Sequence, residues 1–385
     1  MLKYFPDNYS WSQSVNICLS GGGQINEIDE ACAPLKEVSK HEDQAAQSAW
    51  HESWKTLANR IEQLARNDEE AGHHLSAGRK YLRATIYYIM SERMVTNRDP
   101  RKLETYAKAL STFKKGTLLG RHPVQFVDIP FNHTELPGLF VPALHDKPAP
   151  CMIHFDGFDG LKEMLYLSIP NEDFRKRGVA LLIVDHPGVG EALRLRNLHL
   201  NPFTEGAASA CIDYLEGRNE VDPRRIGIVG ISLGGYYAPR AAAFEKRLKC
   251  CVAWGGIWNW QQAREWRMSQ EKQPASVPPF QLLWVTGKDT VEEANEVADK
   301  MTLEGVADKI TCPLLVLHGE NDRLVPLIMA KNTVEAAIHS PSRKLKVFTQ
   351  AEGGAEHVQV DNMTLAVDYI ADWVSETLGG NPKGV

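Results

Sequence analysis

A chain of 385 residues has room for one large domain with an accessory one, or for two to three ordinary domains. Hydrophobic residues make up 43% and charged residues 24%, which excludes a mainly disordered or collagen-like chain and allows a substantial core. The net charge of −6, with no dense Lys/Arg run, argues against nucleic acid or an anionic membrane as the main partner.

The segment Met1–Asn16 mixes Trp, Tyr, Phe, Asp and Pro and does not read as a signal peptide. No run of 18 apolar residues follows anywhere, so no transmembrane helix is expected. The first 120 residues read as helical. Trp50, Trp54, Leu57, Ile61 and Leu64 share one face, as do Ala77, Tyr81, Ala84 and Tyr88, and then Leu103, Tyr106, Leu110 and Phe113. Gly72 and 97–100 punctuate between them. These stripes are expected to pack together, and some of the aromatics could also roof a substrate cavity or supply a homodimer interface. The Gly-rich stretch Cys18–Gly23 lacks the Lys and the strand–helix context of a phosphate loop and reads as a turn.

From about residue 121 strands alternate with helices. Val124–Phe131 and Gly138–Pro142 read as a hairpin. Buried-strand runs follow at Cys151–Phe155, Val179–Val184, Ile226–Gly230, Cys250–Trp254 and Leu314–Leu317, and Lys344–Phe348 reads as a further strand. Crossover helices are expected at Leu161–Lys176 and Ala207–Leu215, and a turn at Val221-Asp222-Pro223. Strands joined by helices imply a mainly parallel, doubly wound α/β sheet. The expected organisation is therefore a helical domain over 1–120, a core over 121–260 and 311–385, and an inserted cap segment over 261–310. The cap carries Trp266 and Trp284, which with Trp54, Trp258 and Trp260 would suit a flat conjugated ligand. Seven cysteines, odd in number and without a C-x-x-C pair, suggest buried thiols in a reducing, cytoplasmic setting.

Gly230-Ile231-Ser232-Leu233-Gly234 matches G-x-S-x-G, directly after an apolar strand and before the helix-like stretch Gly235–Glu245. That context is what a nucleophile elbow requires, with Ser232 projecting from a sharp turn. A serine hydroxyl is a weak nucleophile and needs a base, and the base needs an orienting acid. Asp322 lies in the loop after the strand Leu314–Leu317, and His357 on the Gly-rich loop after Lys344–Phe348. His318 is the alternative base and Glu320 the alternative acid; Asp185 also ends a strand but far from the histidine loop. The other histidines have no ligand-like spacing, so neither metal nor cofactor is expected. An oxyanion needs amide donors: Leu233 after the nucleophile, and Phe158 or Gly157 in the loop Asp156-Gly157-Phe158-Asp159-Gly160.

Residues 121–380 resemble the α/β-hydrolase superfamily, and within it the FrsA-like group that includes 2,6-dihydroxypseudooxynicotine hydrolase and polyketide-shortening hydrolases. Four segments in order carry the resemblance: Gly157-Phe158 with Lys162-Glu163, Asp185-His186-Pro187-Gly188-Val189-Gly190-Glu191, the elbow continuing Gly235-Tyr236-Tyr237-Ala238, and Ala253-Trp254-Gly255-Gly256. The resemblance implies an N-terminal helical region that joins the cap to enclose substrate, and Ser232, Asp322 and His357 as a catalytic triad. It further implies cleavage of carbon–carbon bonds beside a ketone, or of esters and acyl chains, on small aromatic or polyketide-like molecules. A plain carboxylesterase, an acyltransferase or chain-joining enzyme, and a non-catalytic ligand-binding fold are the alternative readings. The loop reads His154-Phe155-Asp156-Gly157 where typical esterases have H-G-G-G, which loosens the oxyanion assignment.

Overall fold

Helices α1 (Tyr9–Ser20), α2 (Ile25–Cys32), α3 (Gln44–Glu70), α4 (His74–Arg93) and α5 (Pro100–Leu119) occupy the first part of the chain in the computed structural model. It describes residues 1–41, 43–144, 148–158, 160–270 and 275–384. Side chains start these helices where the sequence supplies caps: Asn8, Asp43 and Asp99 each accept an amide of the first turn. Of the Gly-rich stretch, residues 18–20 are the end of α1 and residues 21–23 make the turn to α2, so the expected turn is shorter than read. An aromatic stack runs through the interior, with Phe5–Trp11, Trp11–Trp50, Trp50–Trp54 and Trp54–Tyr87 ring centroids 5.3, 4.6, 5.4 and 5.9 Å apart. Trp54 thus lies inside the helical packing.

Two residues of the expected stripes fall outside it. Leu64 is 42% exposed and Leu103 40% exposed, while Ala65 is fully buried. The face through Trp50, Trp54, Leu57 and Ile61 continues four residues on to Ala65, which is where a 3.6-residue turn carries it.

An eight-stranded sheet forms the rest, from β1 (Gln125–Phe131), β2 (Thr134–Val141), β3 (Ala149–Phe155), β4 (Ala180–Val184), β5 (Val221–Ile231), β6 (Cys251–Trp254), β7 (Leu314–Gly319) and β8 (Arg343–Phe348). Their order is β1-β2-β4-β3-β5-β6-β7-β8. β2 pairs antiparallel with β1 and β4, and every later pairing is parallel. β3, β4 and β6 are buried along their whole length, as continuous apolar runs demand when both faces are covered. The crossovers are α6 (Lys162–Ser168), α7 (Asn171–Lys176), α8 (Gly190–Arg194), α9 (Glu205–Glu216) and α10 (Gly234–Phe244). The insertion supplies α11 (Trp260–Met268), α12 (Phe280–Thr286) and α13 (Val291–Ala298), and α14 (Leu327–Ala336) and α15 (Met363–Leu378) close the chain.

Two expectations are corrected. The segment Leu161–Lys176 is two helices, broken at Pro170, which cannot continue α6. The stretch Val221-Asp222-Pro223 is the start of β5 and not a turn: Val221 already faces Ala149, with a register shift before Cys151 pairs with Ile226. Pro223 is tolerated because it lies where the ladder is interrupted.

The described chain clusters into two units, one of Met1–Val124, Tyr166–Ile169 and Ala275–Gln281, the other of Gln125–Leu165, Pro170–Pro274 and Leu282–Val385. All seven cysteines are buried and unpaired. Among the described residues no helix is long and apolar enough to cross a membrane.

In the first unit Lys102 is fully buried, its Nζ 2.8 Å from Glu92 Oε2 and donating at 3.0 Å to the Glu92 carbonyl. Removing one member of such a pair strands a buried charge. Lys102→Met should therefore cost about 3–5 kcal/mol of stability, read as a lower urea midpoint; an unchanged midpoint would remove this pair from what holds the unit together.

Candidate active site

The chain leaves β5 through a tight turn, with Ser232 in the left-handed region at φ 57°. A non-glycine residue there is strained and persists only when its surroundings fix it. The surroundings do so by close backbone approach. A Cβ on Gly230 would lie 1.9 Å from the Gly234 carbonyl oxygen, so strand and helix can meet only through glycine. Ser232 N–H donates to the Trp254 carbonyl at 2.7 Å, tying the elbow to the end of β6. α10 then begins directly, and Ser232 stands before its first turn.

His357 and Asp322 arrive from two neighbouring strand ends. The Ser232 Oγ lies 2.8 Å from His357 Nε2, and His357 Nδ1 lies 2.6 Å from Asp322 Oδ2. With Nδ1–H donating to the carboxylate, Nε2 turns its lone pair to the serine hydroxyl. Asp322 Oδ1 accepts the Leu324 and Val325 amides at 2.8 and 2.9 Å. Burial pushes the Asp322 carboxyl upward, but the His357 ring and its hydrogen bond, the His318 ring and the Val325 amide outweigh that and hold it below the usual carboxylate range.

The histidine loop is braced on both sides. Asp361 accepts the Ala355 and Glu356 amides at 3.1 and 3.2 Å. Beyond His357, Val358 and Gln359 take positive φ of 49° and 52°, and Gln359 Oε1 accepts Trp254 Nε1–H at 2.6 Å. The Ala355 carbonyl accepts the Asn321 amide at 2.8 Å, which couples the loop to that of Asp322. Sequence reasoning missed Asp361 and Gln359, and a polar residue two to four positions past the histidine was the available signal.

The other sequence candidates lie elsewhere. His318 Nε2 is 3.0 Å from the Val325 carbonyl and 3.7 Å from Asp322 Oδ2; burial pulls its pKa down. Glu320 accepts the Gln350 amide at 2.8 Å and is exposed. Asp185 accepts the Lys162 and Glu191 amides at 2.8 and 2.7 Å.

Gly157 packs on the elbow: a Cβ there would meet Ser232 Cβ at 2.7 Å and the Leu233 nitrogen at 3.0 Å. Its amide donates to Asp156 Oδ1 at 2.6 Å, and Leu161 N–H donates to Asp156 Oδ2 at 3.1 Å. The Gly157 donor is thus engaged, whereas no hydrogen bond holds the Phe158 or Leu233 amide among the described residues. Asp159 of this loop lies outside the described residues. Immediately after it, Lys162 Nζ gathers Glu163, Asp185 and Glu191 at 2.7, 3.0 and 2.8 Å. Burial, with the Asp185 charge, raises the Glu163 carboxyl against the pull of Lys162. This buried cluster ties the loop after β3 to the loop after β4, which is the physical content of the Lys162-Glu163 and Asp185–Glu191 segments.

Residues 174–381 match the model of the prolyl oligopeptidase family of peptidases, S9. The chain is 30% identical over 294 residues to the α/β hydrolase gkaG of Penicillium citrinum, covering 74% of this chain and 65%, just under two thirds, of that relative. It is 30% identical over 429 residues to the hydrolase acrC of Aspergillus aculeatus, covering 98% of both. Among solved structures it is similar to 2,6-dihydroxy-pseudo-oxynicotine hydrolase, at 25% identity and a TM-score of 0.76 over 94% of this chain and 95% of that one. With an α/β-hydrolase sheet and this match over more than half its length, the chain belongs to the prolyl oligopeptidase family of α/β hydrolases.

Proposed function

We propose that this hydrolase acts through Ser232 as nucleophile, His357 as base and Asp322 as the group that orients and stabilises the imidazolium, on a carbonyl of a small aromatic or polyketide-like molecule. The observation that carries the reading is the unbroken hydrogen-bonded chain from Ser232 Oγ through His357 to Asp322, at 2.8 and 2.6 Å. His357 Nε2 takes the hydroxyl proton as Oγ bonds to the carbonyl carbon, and the carbonyl electron pair moves onto oxygen. The Leu233 and Phe158 amides are the proposed donors to that oxyanion. Collapse re-forms the carbonyl and expels the leaving group, which takes the proton held by His357. Water then attacks the acyl-serine by the same steps. The chemistry asks for no group beyond these side chains and amides.

The leaving group separates the finer readings. An ester releases an alkoxide, which is protonated on oxygen. Carbon–carbon cleavage releases a carbanion, so the substrate must delocalise it into a neighbouring carbonyl or phenol ring. A β-diketone or acylphenol meets that demand. The similarity to 2,6-dihydroxy-pseudo-oxynicotine hydrolase over nearly the whole chain supports this class of substrate.

Treatment with a small fluorophosphonate should add one adduct mass to the wild type and none to Ser232→Ala, by intact-mass measurement. A folded wild type that takes up no reagent, even a flat sulfonyl fluoride, would overturn the reading. Asp322→Asn should fold normally yet lose a factor on the order of 10⁴ in turnover, because the histidine is then held in the wrong tautomer. Progress curves with a 4-nitrophenyl ester and an aryl 1,3-diketone would measure that loss, and a decrease of less than tenfold on both would remove Asp322 from the mechanism.

A further inference from the structure

Helix α11 carries Arg267, a guanidinium that forms no ion pair among the described residues. The Arg267 guanidinium lies over the Trp260 ring, 5.3 Å from its centroid, and its Nη1–H donates to the Leu324 carbonyl at 3.2 Å. Leu324 stands two residues after Asp322 and gives that carboxylate its amide. The Trp260 ring lies 6.0 Å from the ring of Phe158, which follows the glycine packed on Ser232. The guanidinium is therefore tied on one side to the loop that presents the acid, and through Trp260 to the loop beside the nucleophile.

The described carboxylates of its own helix and of the neighbouring loops are engaged elsewhere. Glu265 accepts from Gln261 at 2.9 Å, Asp299 pairs with Arg264 at 3.0 Å, Glu356 with Arg323 at 3.5 Å, and Asp322 with His357 at 2.6 Å. Among the described residues Arg267 forms no ion pair. Burial pulls its pKa down to about 10, against the opposing pull of Asp322. Beside it the Trp260 Nε1–H is buried with no acceptor. A guanidinium has five donors in a planar fork, suited to a pair of anionic oxygens, and only one of them is used here.

We infer that Arg267, backed by the Trp260 ring, anchors an anionic oxygen of the substrate, a carboxylate or an enolate, carried beside the carbonyl that Ser232 attacks. The inference rests on the serine-hydrolase reading above and adds to it the charge of the substrate. It makes Arg267 a specificity residue. Bulk apolar substrates would fill the same space without using the fork. A pure packing role, in which Arg267 only clamps α11 to the acid loop, predicts no preference for charge.

The test follows the rate at which a fluorophosphonate labels Ser232, with and without a competitor, so that each protein serves as its own reference. Benzoate is compared with benzamide, and 1,3-cyclohexanedione, an enolate at neutral pH, with cyclohexanone. In the wild type the anions should protect at concentrations about tenfold below those of their neutral counterparts, as a charge-assisted hydrogen bond implies. Protection by benzoate alone assigns a carboxylate, and by the dione alone an enolate. Arg267→Gln, which keeps a donor for Leu324, should erase the difference. Arg267→Lys, which keeps the charge, should retain part of it and stands in if the Gln variant does not fold. Equal protection by anion and neutral compound, or a difference that survives in Arg267→Gln, would overturn the inference. A wild type that is not labelled at all would overturn the serine-hydrolase reading, and this inference with it.

Discussion

Holding a serine in the left-handed conformation at the buried end of a central strand is the constraint around which this fold is arranged. Ser232 at φ 57° costs free energy on the order of 1–3 kcal/mol, and only a rigid setting can sustain it. β5 lies in the middle of the sheet, between β3 and β6, so the elbow is hemmed by parallel strands on both sides. The loop after β3 packs Gly157 on the serine from one side, and the end of β6 accepts its amide from the other. Because every strand from β3 onward runs parallel, the loops that bear Asp322 and His357 emerge at the same edge as the elbow. The convergence follows from strand direction before any side chain is considered.

The buried charges near this edge are handled in two different ways. Around Lys162 three carboxylates share one ammonium, and the fully buried Glu163 is pushed toward its neutral form. That cluster joins the loop after β3 to the loop after β4. Asp322 is equally buried but stays charged, since two backbone amides and the His357 ring all favour the carboxylate. An acid that must support an imidazolium has to be ionised before the reaction starts. The pKa of the neighbouring His318 is pulled down by burial, against the opposing pull of Asp322.

The sequence made the chain of Ser232, His357 and Asp322 legible because Ser232 directly follows the apolar end of β5, and Asp322 and His357 stand in the loops after β7 and β8, the last of these a charged and largely unburied strand. The order of those runs also carried the mainly parallel sheet. What was illegible depends on long-range contacts or on a single residue overriding a pattern. Pro223 looks like a turn signal, yet a register shift between β3 and β5 absorbs it inside a strand. Pro170 splits a crossover that composition alone reads as continuous. Leu64 matches the apolar alphabet of its helix, but the helical repeat assigns the core position to Ala65. Asp361 braces the histidine loop through amides five and six residues before it, and Gln359 through a contact with Trp254 that forms only once the chain has folded back; their place just past the histidine was the one local hint. The occupied amide of Gly157 is of the same kind, since Asp156 could have turned either way.

The division of labour between the sheet and the insertion follows from the chemistry. Formation of the tetrahedral adduct breaks no bond to the departing group; selectivity enters at collapse to the acyl-serine, when the bond that breaks is the one whose electrons are best accommodated. Amides at the oxyanion stabilise the attack for ester and ketone alike, so they cannot distinguish them. A cation set apart from those amides acts differently, because it can lower the energy of negative charge on the departing fragment. Arg267 stands on the insertion and reaches the acid loop through one carbonyl, leaving the rest of its fork unspent. An enolate leaving group would place its oxygen charge away from the carbonyl under attack, which is the demand that carbon–carbon cleavage makes and ester hydrolysis does not. In the mechanism proposed above, the residues of the sheet set the reaction's first half, and the charge carried by α11 bears on which bond is broken in the second.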